Sequence, residues 1–215
     1  MGRYVDFWTV TDEALRFALT HYGLQLAPEQ HATLLNAYLE LVAYPEIPAL
    51  LAGVAPRPCV ILSNGSPRML AAAVTASSLT GQFTHILSAD LVKCYKPDPR
   101  VYALAPEVLG LAKEAIVFVS SNFFDVMGAK AYGFQVAWIK RTPTQADELG
   151  LTPDVVLTRL DALLQTFPAA EASQREHCVC SRWTMHPHAD GGNPSILLRL
   201  QHIMPLSCRN PPHEQ

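Results

Sequence analysis

The sequence predicts an α/β fold, a Rossmann-like parallel sheet with helices on both faces. From residue 59 onward, short segments rich in β-branched residues alternate with longer helical segments, which is typical of such sheets. Clusters of small polar residues follow three of the strands, where the chain turns into the next helix. Ligands of open parallel sheets bind beyond the carboxyl ends of the strands, so the functional residues are expected there.

The predicted core alternates strands and helices. Strands are expected at residues 59–62, 85–87, 116–119, 136–139 and 155–157, and helices at residues 66–79, 99–109 and 122–132. Ser66 and Asp98 each precede a proline, which predicts a capping residue followed by the first helical position.

Two helices are predicted before this core. In the first, Thr9 and Asp12 have capping-box spacing, an apolar stripe follows, and Gly23 suits the left-handed residue that ends a helix. The second is expected to begin at Pro28 and to continue until Pro45.

Composition and charge exclude several classes of protein. Lys and Arg total 16 against 19 Asp and Glu, so the net charge is -3 and no basic stripe is available to bind a nucleic acid. No apolar segment reaches the roughly 18 residues of a membrane-spanning helix, and no apolar signal segment is expected. The five cysteines include no Cys-x-x-Cys pair, so we expect a cytoplasmic protein with reduced thiols.

Three polar clusters at strand ends are the candidate site. Small polar residues at 63–66 follow the first strand, and their backbone N–H groups and hydroxyls suit an anion, although an ordinary strand-to-helix turn has the same pattern. Lys96 is followed by prolines at 97 and 99, which can hold its ammonium at one place near an anion. The alternative is a lysine on the solvated surface. Asp125 follows the polar residues 120–122 in the first turn of a helix, where it can act in a site or only as a partner of the helix dipole.

These clusters resemble the motifs of a known family. Ser-Asn-Gly at 63–65, Lys-Pro-Asp-x-x-Val-Tyr at 96–102 and Ser-Ser-Asn-x-x-Asp at 120–125 look like the second, third and fourth motifs of the haloacid dehalogenase superfamily, specifically of the type II (S)-2-haloacid dehalogenases. The resemblance covers residues 3–167. It implies a hydrolase in which an aspartate after the first strand attacks the α-carbon of a 2-haloalkanoate and expels halide with inversion. Water then hydrolyses the aspartyl ester to a 2-hydroxy acid.

The resemblance implies a role for each matching residue. Ser63 and Asn64 would bind the substrate carboxylate. Phe7 and Phe124 would line the apolar wall around the substrate, although the family often has Trp where Phe124 stands.

The catalytic residues implied by the resemblance fall in the third and fourth motifs. Lys96 and Tyr102 would fix and polarise the region of the nucleophile. Ser120, Asn122 and Asp125 would position the hydrolytic water and the ester.

No metal or cofactor is predicted. The fourth motif offers Asp125 as its only acid, whereas Mg²⁺ prefers several carboxylates, so the sequence favours a metal-free reaction at carbon over the phosphatases of the same fold. The spacing of the cysteines and histidines after residue 176 matches no common zinc site; these residues are His177, Cys178, Cys180, His186, His188, Cys208 and His213.

The first motif of the family is not found. Asp6 offers Asp-x-x-x-Val, but only five residues precede it and no buried strand is expected there, so we reject Asp6 as the nucleophile. The resemblance places the first strand of the family fold in the middle of the sheet, so its two neighbours would be left with unpaired N–H and C=O groups. Pro106 inside the helix at 99–109 is a second departure from the family.

The predicted organisation is therefore a haloacid dehalogenase-like core at residues 46–167 without its first strand, a partial helical cap at 1–45, and an atypical, poorly ordered tail at 168–215. Within the tail only residues 196–200 resemble an ordered apolar run. The leading hypothesis is a truncated dehalogenase-type hydrolase without activity, whose partners are a small 2-haloalkanoate and water. The alternatives are a non-catalytic remnant that associates with a homologue, or a phosphatase of the same superfamily; a homodimer is also left open.

Overall fold

The computed structural model describes residues 3–143, 145–168 and the strand at 195–198. Its sheet has six parallel strands in the order β2-β1-β6-β3-β4-β5. The strands are β1 (Cys59–Ser63), β2 (His85–Ser88), β3 (Ile116–Ser120), β4 (Gln135–Ile139), β5 (Val155–Leu157) and β6 (Ser195–Leu198). The predicted fold class and the five strands predicted in the core are thus confirmed.

Helices precede and follow the strands. They are α1 (Phe7–His21), α2 (Pro28–Asn36), α3 (Ile47–Val54), α4 (Pro67–Ala76), α5 (Pro99–Leu109), α6 (Phe123–Tyr132) and α7 (Leu163–Thr166). Short 3-10 turns lie at Ala37–Leu39, Ala89–Val92 and Lys113–Ala115. Within the described part of the chain, no helix has the length and apolar character needed to cross a membrane.

The helices bury apolar side chains on both faces of the sheet. Helices α3, α4 and α7 cover one face, where Ile61 and Val119 point into the core. Helices α5 and α6 cover the other face, where Val60 and Phe118 contact them. All residues of β1 and β3 are buried because these strands lie between two helical layers.

Helix α1 begins earlier than the capping box predicts. The carboxylate of Asp6 accepts hydrogen bonds from the N–H groups of Trp8 (2.9 Å) and Thr9 (3.3 Å), and from the Thr9 hydroxyl (2.8 Å). Asp6, and not Thr9, is therefore the N-cap, because its side chain satisfies the first free donors of the helix. At the other end Gly23 has a φ of 62°, as predicted.

The second predicted helix is shorter than its apolar pattern indicates. Helix α2 ends at Asn36, and α3, which the sequence did not predict, begins at Ile47. Between them Leu41 is buried in the core, and its carbonyl accepts a hydrogen bond from the Ser77 hydroxyl at 2.7 Å. Tertiary packing of this segment therefore overrides the local helical pattern.

The middle of the sheet is occupied by β6. Leu197 pairs with Val60 of β1 and with Phe118 of β3, in parallel register on both sides. β1 and β3 flank the middle of the sheet, and the expectation that the two strands beside this position lack a partner is wrong over these residues, because a segment of the C-terminal tail supplies the ladder hydrogen bonds. The rest of the predicted tail, with its cysteines and histidines, lies outside the described residues. That it is poorly ordered therefore stays a prediction.

Candidate active site

The polar clusters lie at one edge of the sheet. β1 ends at Ser63, β3 ends at Ser120, and Lys96 lies in the loop that leads from β2 into α5. The side chain of Ser66 caps α4 by accepting a hydrogen bond from the N–H of Met69. Because the strands are parallel, their carboxyl ends meet at this edge, as the sequence predicts.

Lys96 is fixed inside the protein. Its Nζ atom donates to the carbonyl of Leu62 at 2.9 Å and to Oδ2 of Asp125 at 3.3 Å, and its side chain is fully buried. The same atom lies 4.6 Å from the ring centroid of Phe118, where a cation is attracted by the aromatic face. The alternative of a solvated surface lysine is therefore excluded.

Asp125 is the acceptor around which the catalytic candidates gather. Tyr102 donates to its Oδ1 at 2.8 Å, and Ser120 donates to its Oδ2 at 3.1 Å, beside Lys96 on the same oxygen. The carboxylate is fully buried. A buried charge is stable only when it is paired and hydrogen-bonded, and this network supplies both conditions. Asp125 is thus more than a partner of the helix dipole.

Ser63 and Asn64 form the loop next to Lys96. The side-chain oxygen of Asn64 accepts a hydrogen bond from the backbone N–H of Lys96 at 3.0 Å, and Ser63 Oγ accepts one from Gly65 at 3.1 Å. Both residues are buried. With their oxygen atoms used in this way, the amide NH₂ of Asn64 and the hydroxyl proton of Ser63 are the donor ends of the two side chains.

The other predicted site residues are Asn122, Phe7 and Phe124. Asn122 is the N-cap residue of α6, and its backbone N–H donates to Ser120 Oγ at 3.3 Å. Phe7 packs edge-on against Tyr95, with the ring centroids 5.8 Å apart. Phe124 lies in the first turn of α6 with 44% of its surface exposed. The apolar wall predicted from Phe7 and Phe124 therefore stays a prediction.

Ser88 is a member of the site that the sequence reasoning missed. Its hydroxyl donates to the carbonyl of Gly65 at 2.7 Å and accepts a hydrogen bond from Asp90 at 3.1 Å. Ser88 is buried at the end of β2, and its hydrogen bond to Gly65 connects the loop after β1 to this neighbouring strand. A polar residue at the end of a predicted strand is the signal that could have identified it.

Two tyrosines join the N-terminal segment to the loop before Lys96. Tyr4 donates to Asp90 at 2.8 Å, Tyr95 donates to the carbonyl of Val5, and their ring centroids are 5.2 Å apart. Burial, followed by the hydrogen bond to Asp90, raises the pKa of Tyr4 far above its usual value. Burial likewise raises the pKa of Tyr95. These contacts join residues about 90 positions apart, so no local sequence pattern predicts them.

Asp98 sets the start of the helix that carries Tyr102. Its carboxylate accepts a hydrogen bond from the backbone N–H of Arg100 at 2.9 Å and a salt bridge from its guanidinium at 2.8 Å. The hydrogen bonds from the Arg100 side chain and backbone lower the pKa of Asp98 to about 2. Asp98 is the N-cap of α5, as the sequence predicts, and Pro106 lies inside this helix without ending it.

The described residues contain no group of three or more His, Cys, Asp or Glu side chains placed to bind a metal ion. The site is instead a buried hydrogen-bonded cluster of a lysine, an aspartate, a tyrosine and a serine. Such a cluster can hold an ammonium at a fixed point, orient a water molecule or an ester through its hydroxyls, and attract a small anion to the edge of the sheet.

Comparison with known proteins gives this arrangement a family context. The family model described as haloacid dehalogenase-like hydrolase matches residues 1–133. The chain is 45% identical over 172 residues to an (S)-2-haloacid dehalogenase of Pseudomonas sp. strain YL, a match that covers 79% of this chain and 74% of the relative. It is 46% identical over 146 residues to the (S)-2-haloacid dehalogenase of Xanthobacter autotrophicus, covering 68% and 58% of the two chains.

A solved structure shows the same similarity. The L-2-haloacid dehalogenase of Xanthobacter autotrophicus with chloropropionic acid covalently bound is 38% identical, with a TM-score of 0.73. The match covers 79% of each chain.

Proposed function

Because the chain belongs to the haloacid dehalogenase-like hydrolases, we propose that its site binds small (S)-2-haloalkanoates beside its buried cluster. The reaction of this class replaces the halogen by a hydroxyl group through an aspartyl ester, and that step needs a carboxylate that can reach the α-carbon. Ser63 and Asn64 hold the substrate carboxylate, and Lys96 with Tyr102 fixes and polarises the region in which the nucleophile of this reaction acts. Ser120, Asn122 and Asp125 position the water.

One observation carries this proposal: Lys96 is fully buried and fixed between Leu62 and Asp125. Burying a charged pair is costly, and replacing both partners together by well-packed apolar side chains is often neutral or stabilising. A cation kept at such a cost at the ligand-binding edge of a parallel sheet supports a function in stabilising an anion.

The donors for the substrate carboxylate lie in the loop that binds the backbone of Lys96. The hydroxyl of Ser63 and the NH₂ group of Asn64 belong to adjacent residues of one loop, and the Asn64 side chain holds the backbone of Lys96. Adjacent donors and a nearby cation form a suitable site for a carboxylate group.

The chain is proposed to bind without releasing halide. Three carboxylates of the described residues already accept hydrogen bonds: Asp6 caps α1, Asp98 caps α5 and Asp125 is enclosed by Lys96, Tyr102 and Ser120. A carboxylate must reach the α-carbon to displace the halide, and these three are held by their own hydrogen bonds.

Binding is tested by titrating (S)-2-chloropropionate and (S)-lactate into the full chain while recording amide NMR shifts. The amides of residues 63–66 and of Lys96 are expected to respond, more strongly than to (R)-2-chloropropionate. Ser63→Ala removes one donor to a charged group, which costs about 1.5 to 3 kcal/mol, or roughly a ten- to hundredfold weakening. Ser77→Ala, at the far end of α4, is the matched control. Equal responses in both variants would exclude a carboxylate site at Ser63.

Catalysis is tested separately by chloride release. The chain is expected to release no chloride from (S)-2-chloropropionate above the rate in buffer. Release that survives purification and disappears in Asp6→Asn would contradict the proposal that the chain binds without turnover, while leaving the binding proposal in place.

A second candidate function, association with a homologous dehalogenase or with a second copy, is favoured by apolar side chains on the N-terminal helices. Phe17 and Tyr22 are each 73% exposed and both contact the ring of His21, and Leu24, two residues after Tyr22, has most of its surface in solvent. Exposed apolar side chains that lie close together favour a protein contact. Gel filtration of the chain alone and mixed with an (S)-2-haloacid dehalogenase, with Phe17→Ser as the control, distinguishes the two assemblies from a monomer.

A further inference from the structure

We propose that β6 is a positioning element of the site, so that ligand binding at Lys96 depends on residues Ser195–Leu198. The proposal rests on the proposed function in one respect: the ligand used to test the site is the one that the proposed function names. It follows from the order of the strands and from how the site residues are divided among them.

The described sheet consists of two parts that β6 joins. One part is the pair β2–β1 and the other is the set β3–β4–β5; β1 and β3 each pair with β6 and not with one another. Neighbouring strands lie roughly 4.8 Å apart, so β6 keeps β1 and β3 roughly 10 Å apart.

The site is divided between the same two parts. The carbonyl of Leu62 belongs to β1, whereas Asp125 lies on the helix that follows β3. Lys96 bridges the parts, because its Nζ atom donates to both groups. The position of the ammonium therefore depends on the distance between the two parts of the sheet.

β6 fixes this distance next to the bridge. Leu198 pairs with Ile61 of β1 and with Val119 of β3. Ile61 directly precedes Leu62, and Val119 directly precedes Ser120, whose hydroxyl donates to Asp125. Leu198, the last residue of β6, is thus paired on each side with the residue that directly precedes a contact of the site. These contacts are Leu62 in β1 and Ser120 in β3.

Loss of β6 has a direct consequence for this geometry. The edges of β1 and β3 are fully buried, and buried N–H and C=O groups without partners are unstable. The two parts would close on one another or admit water. A shift by one strand spacing, roughly 5 Å, is larger than the range of donor–acceptor distances over which a hydrogen bond forms. Lys96 could then no longer contact Leu62 and Asp125 together.

The placement of β6 is tested in the full chain by a disulfide. Cys59 pairs with Ile196 across β1 and β6, and residues paired in a sheet lie within the distance that a disulfide spans. In Ile196→Cys, mild oxidation is expected to link Cys59 to the introduced cysteine, as identified by peptide mapping. Leu197→Cys, one residue out of register, is the matched control and is expected to form this link at least tenfold less. Equal linkage in the two variants, or none in Ile196→Cys, would overturn the proposal.

The dependence of the site on β6 is tested with Leu197→Pro, because proline cannot donate to the ladder of a central strand. We expect the response of the Lys96 amide to (S)-lactate to weaken at least tenfold and the amides of residues 60–62 and 117–119 to lose protection from hydrogen exchange. Val156→Pro, in the edge strand β5, is expected to keep the lactate response. An unchanged response in Leu197→Pro would overturn the proposal.

Further outcomes separate this proposal from the proposed function. If the unaltered chain does not respond to (S)-lactate, the proposed function fails, while hydrogen exchange in Leu197→Pro still decides whether β6 organises β1 and β3. If Leu197→Pro does not fold, Leu197→Gly, which keeps the N–H group, replaces it and is expected to show a smaller loss of both protection and response. Full protection of residues 60–62 and 117–119 in that variant would overturn the proposal.

Discussion

The Nζ atom of Lys96 lies 3.3 Å from Oδ2 of Asp125, and both side chains are fully buried. The lysine comes from the loop after β2 and the aspartate from the first turn of α6, so the pair joins two motifs that are 29 residues apart. Tyr102 and Ser120 complete the hydrogen bonding of the carboxylate. The stability of the site and its chemistry therefore depend on the same few contacts.

Lys96→Met is expected to lower the free energy of unfolding by about 3 to 5 kcal/mol, because it removes the cation beside a buried carboxylate. Urea unfolding measures the loss. Lys130→Met is the matched control, since Lys130 and Asp154 form a 2.6 Å pair whose side chains are 29% and 39% exposed. Its cost is expected to be below about 1 kcal/mol. Equal costs for the two variants would show that the Lys96 pair does not stabilise the fold.

Gly128→Ala is expected to disturb Tyr102. A Cβ atom at Gly128 would lie 2.5 Å from the Tyr102 hydroxyl oxygen and 2.8 Å from Cβ of Pro97, the residue after Lys96. We expect a loss of about 1 to 3 kcal/mol in urea unfolding, together with a shift of the Tyr102 ring resonances.

Gly53→Ala is the control for this substitution. The three atoms nearest to its Cβ would all belong to the Leu164 side chain, the closest at 2.6 Å, so the site is not affected directly. A smaller loss of stability and unchanged Tyr102 resonances are expected. Unchanged resonances in Gly128→Ala as well would mean that the glycine does not position the tyrosine.

Ser88→Ala is expected to weaken ligand binding as well as stability, because it removes the donor to the Gly65 carbonyl beside Ser63 and Asn64. An unsatisfied buried carbonyl costs about 1 to 3 kcal/mol. Ser77→Ala removes a bond of equal length, 2.7 Å to the Leu41 carbonyl, away from the site. Calorimetric titration of (S)-lactate is expected to show weaker binding only for Ser88→Ala.

The stabilising effect of Asp98 is expected to depend on pH. Its pKa is about 2 in the folded chain and 3.8 as an ordinary carboxyl, so its stabilisation is complete above about pH 4 and is lost as the pH falls towards 2. In thermal unfolding, Asp98→Ala is expected to cost about 1 kcal/mol at pH 6 and progressively less below pH 4. Asp98→Asn keeps an uncharged cap and is expected to cost less at pH 6. A cost of Asp98→Ala that stays constant from pH 6 to pH 3 would contradict this account.

Local signals in the sequence determined much of the core. The apolar runs located the five core strands, and Asp98 with Pro99 located the start of α5, because strand burial and helix capping depend on neighbouring residues. The same signals placed Ser63, Lys96 and Ser120 at one edge of the sheet, since the carboxyl ends of parallel strands meet there.

Only the tertiary structure decided how these residues interact. The shared acceptor Asp125, the bridge of Lys96 to Leu62 and the support from Ser88 are contacts between distant segments, and a hydrogen-bond partner cannot be assigned from spacing alone. Packing likewise ended α2 at Asn36.

The central strand shows the difference most clearly. The sequence marked residues 196–200 as an apolar run, but it did not reveal that this run would lie between β1 and β3. The position of a strand is set by which buried edges need hydrogen-bond partners, and that need exists only once the rest of the sheet has assembled. The composition of a segment therefore predicts that it can form a strand, whereas the assembled sheet decides where that strand lies.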